Sequence, residues 1–184
     1  MKLNRKLKMG MIGGGPGAFI GEVHRKAASL DHNIDIVAGA FDIDPKKSLQ
    51  MGKELLLDPR RVYKTYKDMI EGEKKLAIGR RIDFVAITTP NNWHFPIARD
   101  FLEAGFHVMC EKPMTINSKE AKILQKLVKK QGLVFGLFYF LVLGLFLHRS
   151  LIFYLPAIVL EKLEILSFCN VGGDALFLLS VFRY

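Results

Sequence analysis

The 184-residue chain is long enough for one hydrophobic core of ordinary size with a short appendage. Its 27 Lys and Arg residues exceed the 18 Asp and Glu residues, and the formal net charge of +9 favours anionic partners such as phosphates. The basic residues are mixed with acidic ones and do not interleave with aromatic ones, so we predict no nucleic-acid surface. Two cysteines exclude a disulfide framework, and the charged N-terminus lacks the apolar segment of a secretory signal, which favours a cytoplasmic protein.

Short apolar segments alternate with longer amphipathic ones from residue 7 to residue 136. The apolar segments predict five strands, at LKMGMIG, IDIVAGAF, IDFVAITT, FHVMC and GLVFG, and a weak additional strand at RVYKT. Most of them lack the polar alternation of half-exposed strands, which is typical of strands buried on both faces. Regular alternation of strand and helix predicts a doubly wound α/β domain, with helices on both faces of a parallel sheet.

The amphipathic segments carry helix start and stop signals. Asp44 is a capping carboxylate ahead of Pro45, and either Asn117 or Ser118 caps a later helix that Gly132 ends. Ligands of doubly wound sheets bind beyond the carboxyl ends of the strands. We therefore expect the chemistry of this chain at its strand-to-helix turns.

The first of these turns is MIGGGPGAFIG, and a helix is predicted after it from Pro16 to Leu30. Gly13, Gly15 and Ala18 fit the pattern G-x-G-x-x-G/A directly after an apolar strand. Gly13 permits a tight turn, Gly15 lets a diphosphate approach the backbone, and Ala18 lets helix and strand pack closely. The pattern predicts dinucleotide binding at the helix N-terminus, with a purely structural turn as the alternative.

The second turn, AGAFDID, contains two acidic residues with different predicted roles. Asp42 ends the second strand, where a carboxylate accepts hydrogen bonds from an adenosine ribose and repels a 2′-phosphate. This position favours NAD over NADP. Asp44 is better explained as the helix cap, and the alternative for Asp42 is a residue that only forms the turn.

The third turn, ITTPNNWHFPIA, follows the strand that ends at Thr88. Pro90 stops this strand, and Asn91 is a candidate cap for the next helix. His94 lies on the ligand side of the sheet, with a surface histidine as the alternative. Trp93, the single tryptophan of the chain, covers either a nucleotide or the sheet edge.

The fourth turn, CEKPMT, places Lys112 at the carboxyl end of a predicted buried strand. If this strand neighbours the one that ends at Thr88, Lys112 opens into the crevice of the glycine turn. A cationic donor there can polarise a substrate oxygen, with Glu111 as a neighbour that tunes its pKa and Pro113 restricting its backbone. The alternative is a lysine that extends from the strand into solvent.

Together, GMIGGGPGAFIG, DFVAITTPNNWH, AGFHV and CEKPMT resemble the nucleotide-binding half of the glucose-fructose oxidoreductase, inositol dehydrogenase and MocA family. The resemblance covers residues 7 to 136 and implies a Rossmann fold, with a sugar or polyol as substrate. It implies that Lys112 contacts the substrate hydroxyl, with Glu111, Pro113 and His94 on the substrate side. The cofactor-binding residues that it implies are Gly13, Gly15, Pro16, Gly17, Ala18, Asp42, Thr89, Pro90, Asn91 and Glu111.

Residues 137–184 form an apolar C-terminal tail after the dinucleotide-binding domain of residues 1–136. Members of the resembled family continue into a second α/β domain, which this tail does not resemble. Three interpretations stay open: a membrane anchor, a small hydrophobic cap, and an aberrant C-terminus that departs from the family near Leu137. The apolar run from Gly132 to Leu147 is shorter than the roughly 20 residues that span a bilayer.

The resemblance implies an NAD(P)-dependent oxidoreductase that acts on a sugar-like or cyclitol hydroxyl or carbonyl group. Because half of the family's substrate pocket has no counterpart in the sequence, we expect this truncated form to bind dinucleotide with little or no turnover. A non-catalytic dinucleotide-binding module, held at a membrane by its tail, is the alternative. No metal site is predicted, and the sequence does not indicate an oligomeric state.

Overall fold

The computed structural model describes residues 5–141, 166–171 and 175–182, with side chains described up to residue 137. The strands are β1 (Leu7–Gly13), β2 (Ile34–Ala40), β3 (Phe84–Thr88), β4 (His107–Glu111), β5 (Phe135–Leu141), β6 (Leu166–Val171) and β7 (Ala175–Phe182). The α-helices are α1 (Phe19–Ser29), α2 (Pro45–Glu54), α3 (Tyr66–Lys74), α4 (His94–Glu103) and α5 (Ser118–Gln131). Two 3-10 turns, Pro59–Arg61 and Asn91–Trp93, complete the described elements.

The strands form one sheet in the order β2-β1-β3-β4-β5-β7-β6. The first five are parallel to one another, which confirms the predicted parallel α/β sheet. From β1 the chain moves outward to β2 and later returns to form β3 on the other side of β1. The crevice between the carboxyl ends of β1 and β3 is therefore the topological switch point, where ligands of such sheets bind.

Helices cover both faces of the sheet, since successive residues of each strand point to opposite sides. One core cluster joins β1 to α1 and α2 through Met9, Met11, Ala28 and Met51. The other, larger cluster joins the central strands to α3, α4 and α5. The central strands are thus buried on both faces, as their continuous apolar sequences predict.

Three of the predicted helix boundaries are confirmed by hydrogen bonds or backbone geometry. Asp44 caps α2 by accepting a hydrogen bond from the Lys46 amide, and Asn117 caps α5 in the same way from Glu120. Gly132 ends α5 in the left-handed conformation, with φ of 63°. These signals act within a few residues, so the sequence specifies them locally.

The predicted strand at RVYKT is wrong, because this segment makes only one parallel bridge, between Val62 and Gly39 of β2. The helical elements on either side leave no length for a strand. Asp58 caps the 3-10 turn before it, and Thr65 caps α3 after it with a reciprocal bond to Asp68. The segment still lies beside β2, at the sheet edge.

Two further boundaries differ from the prediction. The first helix begins at Phe19 and not at Pro16, because the residues between them complete the glycine-rich turn. Asn91 opens the 3-10 turn before α4, and α4 has no side-chain cap.

Residues 137–141 of the tail belong to β5, and the tail contributes two further strands, β6 and β7, that were not predicted from the sequence. β7 pairs antiparallel with β5, and β6 pairs antiparallel with β7. Within the described residues, no helix is both long and apolar enough to cross a bilayer. The predicted anchor, cap or aberrant segment falls mainly on residues 142–165, which lie outside the described residues.

Leu56, the second residue after the end of α2, is a position where the fold is under local strain. It is 92% exposed and has φ of 54°, a left-handed conformation that favours glycine. We expect Leu56→Gly to raise the free energy of unfolding by about 0.5–1 kcal/mol, since no packing is lost. The exposed Leu49 lies inside α2, so Leu49→Gly should instead lower it by about 1 kcal/mol. Urea unfolding followed by circular dichroism measures both changes.

Candidate functional site

The glycine-rich turn after β1 is shaped by residues in left-handed conformations. Gly13, Gly14 and Gly17 have φ of 83°, 74° and 78°, which side chains rarely allow. A Cβ atom on Gly13 would lie 2.9 Å from the carbonyl carbon and oxygen of Thr88. The turn is therefore packed directly against the end of β3, at the switch point of the sheet.

Asp42 lies beside this turn. A Cβ atom on Gly15 would lie 3.0 Å from Oδ2 of Asp42. The glycine turn approaches the Asp42 carboxylate this closely because Gly15 has no side chain. The other carboxylate oxygen, Oδ1, accepts a hydrogen bond of 2.9 Å from the Asp44 amide. That bond fixes the orientation of the carboxylate and leaves Oδ2 on the side of the glycine turn.

The N-terminus of α1 differs from those of α2, α3 and α5. Each of those three helices has a side chain that accepts a hydrogen bond from a first-turn amide. Ala18, the N-cap of α1, has no side-chain oxygen for this purpose. The first-turn amide groups of α1 therefore lack a side-chain cap and can donate to an anionic group placed beside the glycine turn.

The turn after β3 is held by His94, which is fully buried. Its Nε2 lies 2.8 Å from the Thr89 carbonyl oxygen and its Nδ1 lies 2.7 Å from the Pro113 carbonyl oxygen. Carbonyl oxygens only accept, so a neutral ring donates to one of them and a protonated ring to both. His94 thus connects the third and fourth predicted turns through backbone groups, and does not itself face solvent.

Other residues of the third turn lie closer to the surface. Pro90 and Asn91 are exposed, and the Trp93 side chain is 47% exposed. Within the described residues, the buried Thr89 hydroxyl has no hydrogen-bond partner.

Lys112 follows β4 directly, and β4 pairs with β3 as the sequence analysis supposed. Its side chain is exposed, and the Lys112–Pro113 peptide bond is cis. Glu111, one residue earlier, is buried and lies 2.7 Å from the ring of His24, between Oε1 and Nε2. The acidic and the basic residue of this turn therefore occupy different environments.

Comparison with known proteins identifies the family to which this fold belongs. Residues 7–139 match the family model described as "Oxidoreductase family, NAD-binding Rossmann fold". The chain belongs to the Gfo/Idh/MocA oxidoreductase family. Its matched segment is the family's NAD-binding domain.

Similar proteins extend well beyond the matched region. An uncharacterized oxidoreductase, YfiI of Bacillus subtilis, is 38% identical over 138 residues, which are 74% of this chain and 35% of the relative. The crystal structure of an inositol dehydrogenase homolog from Azotobacter vinelandii, complexed with NADH and myo-inositol, is 40% identical with a TM-score of 0.70. The alignment covers 73% of this chain and 35% of that one. An oxidoreductase structure from Sinorhizobium meliloti is 44% identical, with a TM-score of 0.67 and coverage of 73% and 37%. The chain therefore spans about a third of the length of these relatives.

In this Gfo/Idh/MocA domain the predicted site residues lie at the carboxyl ends of the parallel strands. Gly13 contacts the Thr88 end of β3, Gly15 contacts Asp42, and His94 connects Thr89 with Pro113. Within the described residues, no cluster of three His, Cys, Asp or Glu side chains could hold a metal ion.

Three residues of α1 that support the site were not predicted from the sequence. A Cβ atom on Gly21 would collide with the Cα atom of Gly14, so Gly21 provides the close approach that was predicted for Ala18. Arg25 donates a 2.7 Å hydrogen bond to the Gly14 carbonyl, and burial lowers the pKa of its guanidinium. His24 pairs with Glu111. The helical spacing of the buried residues Gly21, His24 and Ala28 is the signal that could have found Gly21 and His24, but not Arg25.

Asp42 is expected to set the preference of this Gfo/Idh/MocA domain for NAD. We expect Asp42→Ser to raise the affinity for NADPH relative to NADH by about tenfold or more, because it removes a carboxylate that would repel a 2′-phosphate. Fluorescence titrations with the two cofactors measure the ratio. Asp44→Ser is a matched control, since serine keeps the helix cap and the Asp44 carboxylate accepts a hydrogen bond from the Lys46 amide at the start of α2. An unchanged ratio in Asp42→Ser would contradict the ribose assignment.

Proposed function

We propose that this chain binds NAD across the switch point of its sheet, with the diphosphate on the glycine turn and the adenosine ribose at Asp42. The observation that carries the proposal is the contact between Gly15 and Asp42, which leaves backbone amides and a carboxylate side by side. The uncapped first turn of α1 supplies N–H donors and a positive dipole end for the diphosphate.

The described residues fit a dinucleotide. Gly15 carries no side chain toward the turn, and Gly17 has open space around the position of a Cβ atom. Arg25 holds the Gly14 carbonyl toward the protein, so the amide of Gly15 in the same planar peptide unit points the opposite way. Pro90, Asn91 and the buried Thr89 hydroxyl are proposed to line the nicotinamide side.

Lys112 is proposed to act on the substrate hydroxyl of a sugar-like or cyclitol compound. Bound NAD would supply the hydride acceptor in oxidation of this hydroxyl. Lys112 stands at the end of β4, two strands away from the glycine turn in the same sheet edge, and its ammonium group can orient the hydroxyl and assist movement of its proton. The similarity to an inositol dehydrogenase homolog crystallised with NADH and myo-inositol supports this substrate class.

We further propose that this chain alone turns substrate over slowly. Lys112 is exposed, and none of the described residues forms an ion pair with it. A substrate held there remains open to water, which weakens the electrostatic contribution that an enclosed site provides.

The binding proposal can be tested through Trp93, the single tryptophan, which lies half-exposed beside the site. We expect NADH to accept excitation energy from Trp93 in a saturable manner, with a Kd between about 1 µM and 1 mM, the range in which enzyme KM values usually lie. NAD and ADP should compete with NADH for the site. Energy transfer that neither compound displaces would contradict the proposal.

Turnover is tested separately, by NAD reduction in the presence of myo-inositol. We expect a rate well below about 1 s⁻¹, the lower end of the usual range for enzymes, and a further loss in Lys112→Met. NADH affinity should stay within about twofold in this variant, as in the surface control Lys119→Met. A rate in the usual enzyme range that depends on Lys112 would support the dehydrogenase and contradict the proposal of slow turnover.

A further inference from the structure

The pair formed by His24 and Glu111 connects two distant parts of the chain. His24 lies in the middle of α1, and Glu111 is the last residue of β4. Their Nε2 and Oε1 atoms are 2.7 Å apart, and the side chains are only 1% and 8% exposed. Because the contact is shielded from water, it is stronger than a similar contact on the surface.

Both oxygens of Glu111 are occupied by this chain. Oε1 accepts from the His24 ring, and Oε2 accepts a 3.2 Å hydrogen bond from the Lys112 amide. The carboxylate thus binds two groups of this chain, and its contact with cofactor and substrate stays a prediction. The geometry of Glu111 is that of a residue that positions the backbone of Lys112.

The same segment of α1 also supports the glycine turn. Gly21 is one helical turn before His24 and packs against Gly14, and Arg25 directly after His24 binds the Gly14 carbonyl. A movement of α1 relative to the sheet would thus displace the glycine turn and Glu111 together. The glycine turn and Glu111 are thus connected by hydrogen bonds and packing contacts to the same short segment of α1.

We propose that His24 is a positioning residue that couples occupancy of the glycine turn to the placement of Lys112. A diphosphate on the first turn of α1 fixes the helix, His24 transmits this to Glu111, and Glu111 holds the backbone of Lys112. The inference rests on the proposed dinucleotide site. It assigns to a buried histidine a role that is separate from cofactor contact.

ADP is the suitable probe, because it has the diphosphate but lacks the nicotinamide half that could touch Lys112 directly. Amide hydrogen exchange is measured with and without ADP for peptides covering residues 12–20 and 106–117. We expect ADP to slow exchange of both peptides in the unmodified chain. In His24→Phe, ADP should still protect residues 12–20, while its protection of residues 106–117 should fall by about tenfold.

A matched pair of variants separates positioning from general packing. His24→Gln keeps a side-chain N–H near the position of Nε2, so it should restore the protection of residues 106–117 that phenylalanine reduces. His32→Asn changes an exposed histidine beyond the end of α1 to a residue that also tolerates its left-handed backbone, with φ of 56°, and should leave both peptides as in the unmodified chain. Restoration by Gln is not expected if His24 only fills space.

Several outcomes would overturn the coupling. It is wrong if ADP protects residues 12–20 of the unmodified chain but not residues 106–117, a result that needs no variant to fold. It is also wrong if His24→Phe leaves the protection of residues 106–117 intact.

Failure of the proposed function gives a different result. If the unmodified chain binds neither NADH nor ADP, the dinucleotide site itself is wrong, and the coupling that depends on it falls with it. The tie between His24 and Lys112 is then tested by hydrogen exchange of the three proteins without ligand. Faster exchange of residues 106–117 in His24→Phe, reversed in His24→Gln, supports this tie, and equal exchange in all three proteins excludes it.

Discussion

Replacement of Gly15 by valine is expected to weaken NADH binding by about 100-fold or more, equivalent to roughly 2.7 kcal/mol. A Cβ atom on Gly15 would lie 3.0 Å from both Oδ2 of Asp42 and the Phe41 carbonyl oxygen. The valine side chain would therefore occupy the space between the glycine turn and the carboxylate, where the diphosphate and ribose are proposed to lie. The loss is measured by energy transfer from Trp93 to NADH.

The control for this prediction is a glycine outside the site. Gly79 has φ of 94° and open space around its Cβ position, so Gly79→Val strains the backbone without touching the turn. We expect that variant to lose about 1 kcal/mol of stability and to bind NADH normally. Unchanged NADH affinity in Gly15→Val would mean that the diphosphate does not lie on this turn, and the proposed function would lose its main support.

Much of this site could be predicted because its signals are local in the chain. The glycine pattern requires a strand before it and a helix after it, and β1 and α1 supply both. The caps at Asp44 and Asn117 depend on an oxygen and an amide within three residues of each other. Such interactions depend only on residues that are close together in the sequence, so the sequence pattern predicts them correctly.

The residues that sequence analysis missed depend on contacts between distant elements. His24 and Glu111 are 87 positions apart, and nothing in the sequence around either of them specifies the other. The strand predicted at RVYKT failed for a related reason. Its apolar and β-branched residues suit a strand, but the capped turns on both sides consume the available length.

Glu73 is a clearer example of a residue whose long-range contacts the local sequence does not indicate. It lies in YKDMIEGEK, a segment whose many charges are typical of a solvent-exposed helix, yet the side chain is fully buried. It accepts hydrogen bonds from the guanidinium of Arg61, the hydroxyl of Tyr63 and the amide of Ile82. Burial and the nearby Glu73 carboxylate raise the pKa of Tyr63 to about 12. Through its hydrogen bonds to Arg61, Tyr63 and Ile82, the Glu73 carboxylate connects α3 to the segment beside β2 and to the start of β3.

We expect Glu73→Ala to lower the free energy of unfolding by about 3 kcal/mol or more. The change leaves the mostly buried Arg61 guanidinium without its partner and removes the acceptor for the Ile82 amide. Urea unfolding provides the measurement. Glu71→Ala is the matched control in the same helix, because Glu71 is exposed and its nearest ion-pair distance, to Lys74, is 4.0 Å; its effect should stay within about 0.5 kcal/mol.

A double variant separates the two causes of the loss at Glu73. If most of the cost comes from leaving the Arg61 charge unpaired, removing both groups in Arg61→Met with Glu73→Ala should recover part of the stability. Should the lost bonds to Tyr63 and Ile82 dominate, the double variant will be no more stable than Glu73→Ala alone. Equal stability of Glu73→Ala and the unmodified chain would contradict the buried network itself.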